Sequence, residues 1–157
     1  MKALIIYDSV FGNTEKIAAA IAEGIENCRA GVLHVKDADP EKLSGLSLMI
    51  VGSPTRKFRP TAEIVKFLDS IPEGLIQDIA VAAFDTRIAS EDIKKKFFRF
   101  IVDTGGYAAN PIADKLRKKG GILVLPPEGF FVESEKGPLK EGESERASAW
   151  AKLACHA

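Results

Sequence analysis

Short apolar runs alternate with segments of helical periodicity along this chain. Four continuous apolar runs, at residues 4–6, 48–51, 79–84 and 122–125, lack the alternation of a strand with one exposed face. Such runs are typical of parallel strands that helices cover on both faces. Leu33 and Val35 indicate a shorter strand between the first two runs. The pattern predicts five strands, the last of which is interrupted at residues 126–129 and resumes at 130–132.

Apolar residues spaced three or four positions apart predict helices between these strands. Ile17, Ile21 and Ile25 form the stripe of the first helix, which we expect to end near residues 27–31. Thr61 is expected to cap the next helix, and further helices are predicted over residues 107–119 and near the end of the sequence. The residues of these later helices expected to face the core are Ile64, Phe67, Leu68, Ala109, Ile112, Leu116, Ala147, Trp150, Ala151 and Ala154.

One predicted helix, over residues 91–102, is strongly amphipathic. Its apolar face carries Ile93, Phe97, Phe100 and Ile101, and its opposite face carries Lys94, Lys95, Lys96 and Arg99. A small monomer seldom leaves so much apolar surface exposed. We therefore expect this helix to cover a partner, and self-association into a homo-oligomer is the simplest outcome.

Alternating strands and helices predict an α/β domain with a parallel sheet and right-handed crossovers. At 157 residues the chain is long enough for one substantial core and too short for two ordinary domains. We interpret residues 1–157 as a single domain.

Composition and charge exclude several classes of function. The 22 basic and 22 acidic side chains cancel, so no global field attracts nucleic acid or an anionic membrane. No apolar run approaches the roughly 20 residues of a membrane span, and the N-terminus does not resemble a secretory signal. Cys28 and Cys155 lack the spacing of metal ligands. A reducing cytoplasm fits this sequence best.

Candidate chemistry is concentrated where the first strand meets the first helix. The run of residues 5–7 breaks into small and hydroxyl-bearing residues that lead directly into a helical pattern. Helix starts leave N–H groups unsatisfied, so the hydroxyls of Ser9 and Thr14 and the amides of residues 11–15 can surround a phosphate. Gly12 allows a close backbone approach. An ordinary strand-to-helix turn, capped by Asn13 or Thr14, fits the same residues.

These residues resemble the phosphate loop of flavodoxins, a [ST]-x-[ST]-G-x-T pattern after the first strand. Ser9, Gly12 and Thr14 match it. Phe11 has no hydroxyl, and is instead similar to the S-M-[WY]-G-N-T variant found in A-type flavoproteins and WrbA-like FMN reductases. The resemblance implies a flavodoxin-like, three-layer doubly wound sheet of five parallel strands in the order 2-1-3-4-5.

A second motif supports the same resemblance. Residues 52–55 read Gly-Ser-Pro-Thr, which resembles the G-[ST]-P-T that lies beside the isoalloxazine ring in quinone reductases and A-type flavoproteins. The pair Trp150 and Ala151 is similar to part of the closing helix of flavodoxins. The resemblance therefore covers nearly the whole chain.

The resemblance implies FMN as cofactor, with no metal and no catalytic side chain. The phosphate would be held by Ser9, Phe11, Gly12, Asn13 and Thr14, and the ring would be bordered by Ser53, Pro54, Thr55, Arg56, Phe58, Asp85, Thr86 and Arg87. Tyr107 either stacks on the flavin or is a partly buried helix residue. Arg87 leaves the most apolar strand, so we expect it to stabilise an anionic reduced flavin and to favour two-electron reduction.

Two classes of function follow from the sequence. The first is an FMN-binding redox protein, active in electron transport or in NAD(P)H- or quinone-type reduction, with a protein or a small molecule as its electron donor and acceptor. Whether it is itself an oxidoreductase stays open at this point. The second is a flavin-free interaction module that uses the helix 91–102.

Overall fold

The computed structural model describes residues 1–89 and 106–157, and these form a sheet with helices on both faces. The strands are β1 (Lys2–Tyr7), β2 (Arg29–His34), β3 (Leu48–Pro54), β4 (Ala80–Ile88), β5 (Ile122–Leu123) and β6 (Glu128–Val132), and the helices are α1 (Asn13–Gly24), α2 (Ala62–Ser70), α3 (Ala109–Lys118) and α4 (Glu143–Cys155). Two short 3₁₀ turns, Val35–Asp37 and Pro40–Leu43, connect β2 to β3. The predicted helix 91–102 lies outside the described residues.

The strands lie in the order β2-β1-β3-β4-β5, and every pair is parallel. This confirms the predicted order. β6 also pairs with β4, so β5 and β6 are two parts of one broken edge strand. Because the strands are parallel, β1, β3, β4 and β6 all deliver their carboxyl ends to one edge of the sheet.

The sheet separates two cores, one on each face. Ile5, Ile17 and Trp150 belong to the core beneath α1 and α4. Ile6 and Ile64 belong to the core beneath α2 and α3. Consecutive residues of β1 thus face opposite cores, as the continuous apolar run predicted. The inward stripes predicted for the described helices are confirmed, since their members are buried.

The central strands are longer than the sequence indicated. Residues 52–54 and 85–87, which lie beyond the predicted strands 48–51 and 79–84, continue β3 and β4. Their backbones pair with each other, from Gly52 opposite Phe84 to Pro54 opposite Thr86. β6 extends the ladder on the other side of β4. Asp85 and Thr86 are therefore paired on both sides, and residues 52–54 are held in extended conformation mainly by their pairing with β4.

Further boundaries differ from the predictions. Val35 lies in a 3₁₀ turn and not in β2. α1 ends at Gly24, earlier than residues 27–31. The last strand breaks after Leu123 and resumes at Glu128 rather than at residue 130. In the break, Val124 still donates a hydrogen bond to the Val81 carbonyl, at 3.0 Å, which keeps the two halves in line.

Candidate cofactor site

A cavity of about 390 Å³ opens at the edge where the parallel strands end. This volume lies within the roughly 300–1,000 Å³ that is usual for small-molecule sites. Loops after β1 and β3 and the ends of β4 and β6 border it. Its lining residues are Ser9, Val10, Phe11, Asn13, Thr14, Pro54, Thr55, Arg56, Lys57, Thr86, Arg87, Ile88, Val132 and Glu135.

The first turn of α1 faces this cavity without a side-chain cap. Gly12 precedes the helix with φ 94°, in the left-handed region, and no side chain bonds the helix start. Asn13 and Thr14, one of which would be the cap of an ordinary strand-to-helix turn, are instead the first residues of the helix. The Thr14 hydroxyl lies 2.8 Å from that of Thr86 on β4. The initial amides of α1 therefore have neither a preceding turn nor a cap to accept their protons.

Two hydroxyl groups at the cavity are arranged as proton donors. The Ser9 Oγ accepts a hydrogen bond from the Gly12 amide at 3.1 Å. The Thr55 Oγ1 accepts one from the Ala108 amide, also at 3.1 Å. A hydroxyl has one proton to donate, and in both residues that proton is left for another acceptor. Of the two protons shared by Thr14 and Thr86, only one is needed for their mutual hydrogen bond. The site is consequently rich in donors, which suits an anion.

The Ser53 hydroxyl has a different role. It accepts from the Thr61 amide at 3.0 Å and donates to the Pro54 carbonyl at 2.9 Å. Its side chain is fully buried. Ser53 therefore fixes the loop between β3 and α2 and does not line the cavity.

A buried ion pair lies behind the cavity. The Asp85 carboxylate is fully buried and accepts two hydrogen bonds from Arg87, at 2.6 and 2.7 Å, and one from the Ala109 amide at 2.9 Å. Burial raises the pKa of Asp85, while the bonds from Arg87 and Ala109 act in the opposite direction. Arg87 lines the cavity, but its charge is compensated by Asp85.

The neighbours of Arg87 hold its guanidinium in place. The ring of Tyr107 lies 3.7 Å from the guanidinium carbon, and the Tyr107 hydroxyl donates to the Ile88 carbonyl at 3.1 Å. A Cβ at position 129 would lie 2.0 Å from Arg87 Nε, so only glycine leaves room for the side chain. Tyr107 is buried, with 8% of its surface exposed, and its ring is stacked on arginine.

Arg56 joins three loops across the mouth of the cavity. Its guanidinium lies 5.6 Å from the centre of the Phe11 ring and 3.6 Å from the Glu135 carboxylate. Glu135, in the turn after β6, lines the cavity and was not predicted from the sequence. Glu135 lies in a turn-rich segment, and the sequence pattern of that segment does not indicate which other loop the side chain contacts.

Most of the residues predicted to border a cofactor come together here. Ser9, Phe11, Asn13, Thr14, Pro54, Thr55, Arg56, Thr86 and Arg87 all line the cavity. Ser53 and Asp85 are buried behind it, Gly12 borders a neighbouring cavity, and Phe58 is not among the lining residues. Val10, Lys57, Ile88 and Val132 also line the cavity, although the sequence did not single them out as cofactor-binding residues.

His34 supports the loop after β1, a role that sequence analysis missed. Its Nε2 lies 3.3 Å from Asp8 Oδ1, and the same oxygen accepts from the Ser9 amide at 2.8 Å. Its Nδ1 accepts from the Lys36 amide at 3.1 Å. His34 and Ser9 are far apart in sequence, and only the pairing of β1 with β2 brings them together.

Two kinds of feature are absent from the described ranges, 1–89 and 106–157. No helix there is long and apolar enough to cross a membrane. No group of three or more His, Cys, Asp or Glu side chains there is placed to hold a metal ion.

Comparison with known families identifies the chain. The sequence profile described as a flavodoxin domain matches residues 4–104, which is more than half of the chain. The chain belongs to the flavodoxin domain family. A curated flavodoxin from Aquifex aeolicus (strain VF5) is 34% identical to this flavodoxin domain over 73 residues, which make up 45% of this chain and 40% of that relative. The matched region thus spans less than half the length of the relative.

Solved structures show the same fold at low sequence identity. A flavodoxin from the domain Archaea superimposes with a TM-score of 0.78 at 24% identity, covering 99% of this flavodoxin domain and 97% of that chain. A WrbA-like protein from Agrobacterium tumefaciens gives 0.73 at 20%, covering 99% and 95%. Rubredoxin oxygen:oxidoreductase from Desulfovibrio gigas gives 0.75 at 23%, covering 99% of this chain but 35% of that protein.

Proposed function

We propose that this flavodoxin domain binds FMN in the cavity at the carboxyl edge of its sheet and acts in electron transfer. Membership of the family supports FMN as the cofactor. The observation that carries the proposal is the set of hydroxyl protons around the uncapped start of α1. A dianionic phosphate needs several donors and no nearby unpaired carboxylate.

The residues divide between the two ends of the cofactor. The hydroxyls of Ser9 and Thr14 and the amides around Phe11 and Asn13 would hold the phosphate, while Gly12 sets the turn. Pro54, Thr55, Arg56, Thr86 and Arg87 would border the flavin ring. Ser53 and Asp85, buried behind them, would support that border. Bound FMN would supply the redox chemistry, because it accepts and releases electrons. The protein residues bind it, orient it and restrict access of water.

Titration with two matched ligands tests this proposal. The purified chain, freed of any flavin, should quench FMN fluorescence with a saturating one-to-one stoichiometry. Riboflavin has the same ring but no phosphate, so it should bind more weakly. Failure of FMN to bind would refute the proposed function and would favour the flavin-free interaction module, whose predicted helix lies outside the described residues.

Reduction by NAD(P)H or reduction of quinones is a second candidate. Arg56 and Lys57 at the cavity favour an anionic or electron-rich small molecule beside the flavin. The compensation of Arg87 by Asp85 weakens the argument, made from the sequence, that Arg87 promotes two-electron reduction. Addition of NADH or NADPH to the FMN-loaded protein without air decides the matter. Rapid bleaching of the flavin absorbance supports a reductase. An unchanged spectrum excludes NADH and NADPH as donors and supports electron transfer between proteins.

A further inference from the structure

A short hairpin at the rim of the cavity presents a cluster of cations. Arg56 and Arg59 exchange two backbone hydrogen bonds, at 2.8 and 2.9 Å, and Lys57 and Phe58 form the turn between them. Lys57 and Phe58 have φ values of 48° and 66°, in the left-handed region that residues with a Cβ seldom adopt. The hairpin is thus a defined structure, and Lys57 and Arg59 are exposed on it.

The charge of this basic hairpin, residues 56–59, is only partly compensated. Glu135 pairs with Arg56 at 3.6 Å. Within the described part of the chain, no carboxylate forms an ion pair with Lys57 or Arg59. On the opposite side of the loop after β1, two acidic residues, Glu15 and Asp37, and one basic residue, Lys36, border a separate cavity. The excess of basic side chains at this end of the molecule is therefore next to β3, and the side next to β2 has no such excess.

An exposed apolar pair adjoins the basic hairpin. Val10 and Phe11 are 50% and 43% exposed, and they are consecutive residues in the loop before α1. Arg56 lies over the Phe11 ring, so the pair and the hairpin form one surface. Small apolar centres with charged rims are typical of transient protein interfaces, in which charge sets the orientation and the association rate.

We infer that the basic hairpin and the apolar pair dock an acidic redox protein beside the flavin. The inference rests on the proposed function and specifies the chemistry of its partner. Arg59 favours a protein over a small anion, because it is exposed outside the cavity whereas Arg56 and Lys57 line it. A nucleotide in the cavity would contact Arg56 and Lys57, whereas a protein surface would cover Arg59 as well.

The dependence of electron transfer on salt tests this inference. The FMN-loaded protein, reduced without air, is mixed in stopped flow with acidic cytochrome b5 and, separately, with basic cytochrome c. Raising the salt from about 10 to 200 mM screens exposed charges. The rate with cytochrome b5 should fall roughly tenfold, and the rate with cytochrome c should not fall. A rate with cytochrome b5 that is constant or rises would overturn the inference.

Two charge-reversal variants locate the effect. Arg59→Glu should slow reduction of cytochrome b5 at low salt roughly tenfold. Lys118→Glu makes the same change of charge in an exposed residue at the far end of α3 and should leave the rate unchanged. Equal rates in the two variants would contradict the docking surface. A defect of Arg59→Glu confined to NADPH oxidation would also overturn it and would assign the hairpin to a nucleotide.

Flavin content is measured before each kinetic run. A protein that takes up no FMN refutes the proposed function itself, and the inference with it. A protein that is fully loaded but shows no preference for the acidic cytochrome refutes only the docking surface.

Discussion

Individual hydroxyl groups in this molecule differ in whether their proton is already donated to another protein atom. Ser9 and Ser53 are both serines at the ends of neighbouring strands, and the sequence predicted that both contact the cofactor, Ser9 at the phosphate and Ser53 at the ring. The Ser53 hydroxyl both donates and accepts a hydrogen bond within its loop, whereas the Ser9 hydroxyl only accepts one, so its proton can be donated to a ligand. The difference is the Pro54 carbonyl, which accepts the Ser53 proton at 2.9 Å. Whether a hydroxyl reaches such a carbonyl depends on the backbone conformation of the loop, which the sequence pattern did not predict.

Removal of the Thr14 hydroxyl should affect the phosphate selectively. A hydrogen bond to a charged group contributes about 1.5–3 kcal/mol, so Thr14→Ala should weaken FMN binding roughly ten- to hundredfold. Riboflavin binding should change little, since riboflavin lacks the phosphate. Fluorescence titration measures both affinities, with Ser44→Ala, an exposed serine in a distant turn, as the control. Equal losses for the two ligands would place Thr14 away from the phosphate.

Arg87 should matter for stability as well as for the cavity. Arg87→Met leaves the Asp85 carboxylate buried without its partner, which is expected to lower the free energy of unfolding by about 3–5 kcal/mol. Urea denaturation followed by circular dichroism measures the change. Arg117→Met, in an exposed residue near the end of α3, should stay within roughly 0.5 kcal/mol of the parent. A small effect at position 87 would mean that Asp85 is protonated in the folded protein.

At the scale of elements, local periodicity predicted what each helix buries but not how far the strands extend. The stripe of Ile17 and Ile21 depends only on the pitch of one helix, and both residues are fully buried. The length of β4 depends on β6, which lies some forty residues later in the chain. Had residues 85–87 been interpreted as a strand, the pairing of Asp85 with Arg87 would have followed, because residues i and i+2 share a face.

Helices α1 and α4 approach each other closely at Gly24. A Cβ there would lie 2.2 Å from the Ser148 carbonyl oxygen, which is part of the backbone and cannot move aside independently. Alanine is better than glycine within a helix by roughly 1 kcal/mol, yet Gly24→Ala should destabilise the protein by about 1–3 kcal/mol because the helices must separate. Thermal denaturation would show this. Glu23→Ala, next to it but exposed, provides the control, and a stabilised Gly24→Ala would contradict the close contact.

For the whole molecule, stability should depend on the charge of Glu143 at the start of α4. Burial would raise the pKa of Glu143, but the hydrogen bonds from Arg146 and the Phe131 amide outweigh it and hold the pKa below its ordinary value. The carboxylate therefore stabilises the fold above the unfolded pKa of about 4.3. This contribution is lost as the pH falls through the lower pKa of the folded state.

The variant Glu143→Gln isolates this contribution. At pH 7 it should unfold about 1–3 kcal/mol more easily than the parent, because Arg146 loses its charged partner. The difference should shrink as the pH falls below about 4, where the parent also loses the charge. Urea titrations at a series of pH values measure it. A difference that is constant with pH would show that side-chain shape, and not charge, ties α4 to β6.

The chain has one tryptophan, and its position makes it an optical reporter. Trp150 is 7% exposed and meets the rings of Phe84 and Phe130 edge to face, with centroids 6.4 and 6.0 Å away. Its emission should therefore be blue-shifted in the folded protein and move to longer wavelength on unfolding. A yellow flavin absorbs where tryptophan emits, so binding of FMN should dim this single emitter by energy transfer. Folding and cofactor uptake can then be followed in one unlabelled sample, each by its own change in colour or brightness.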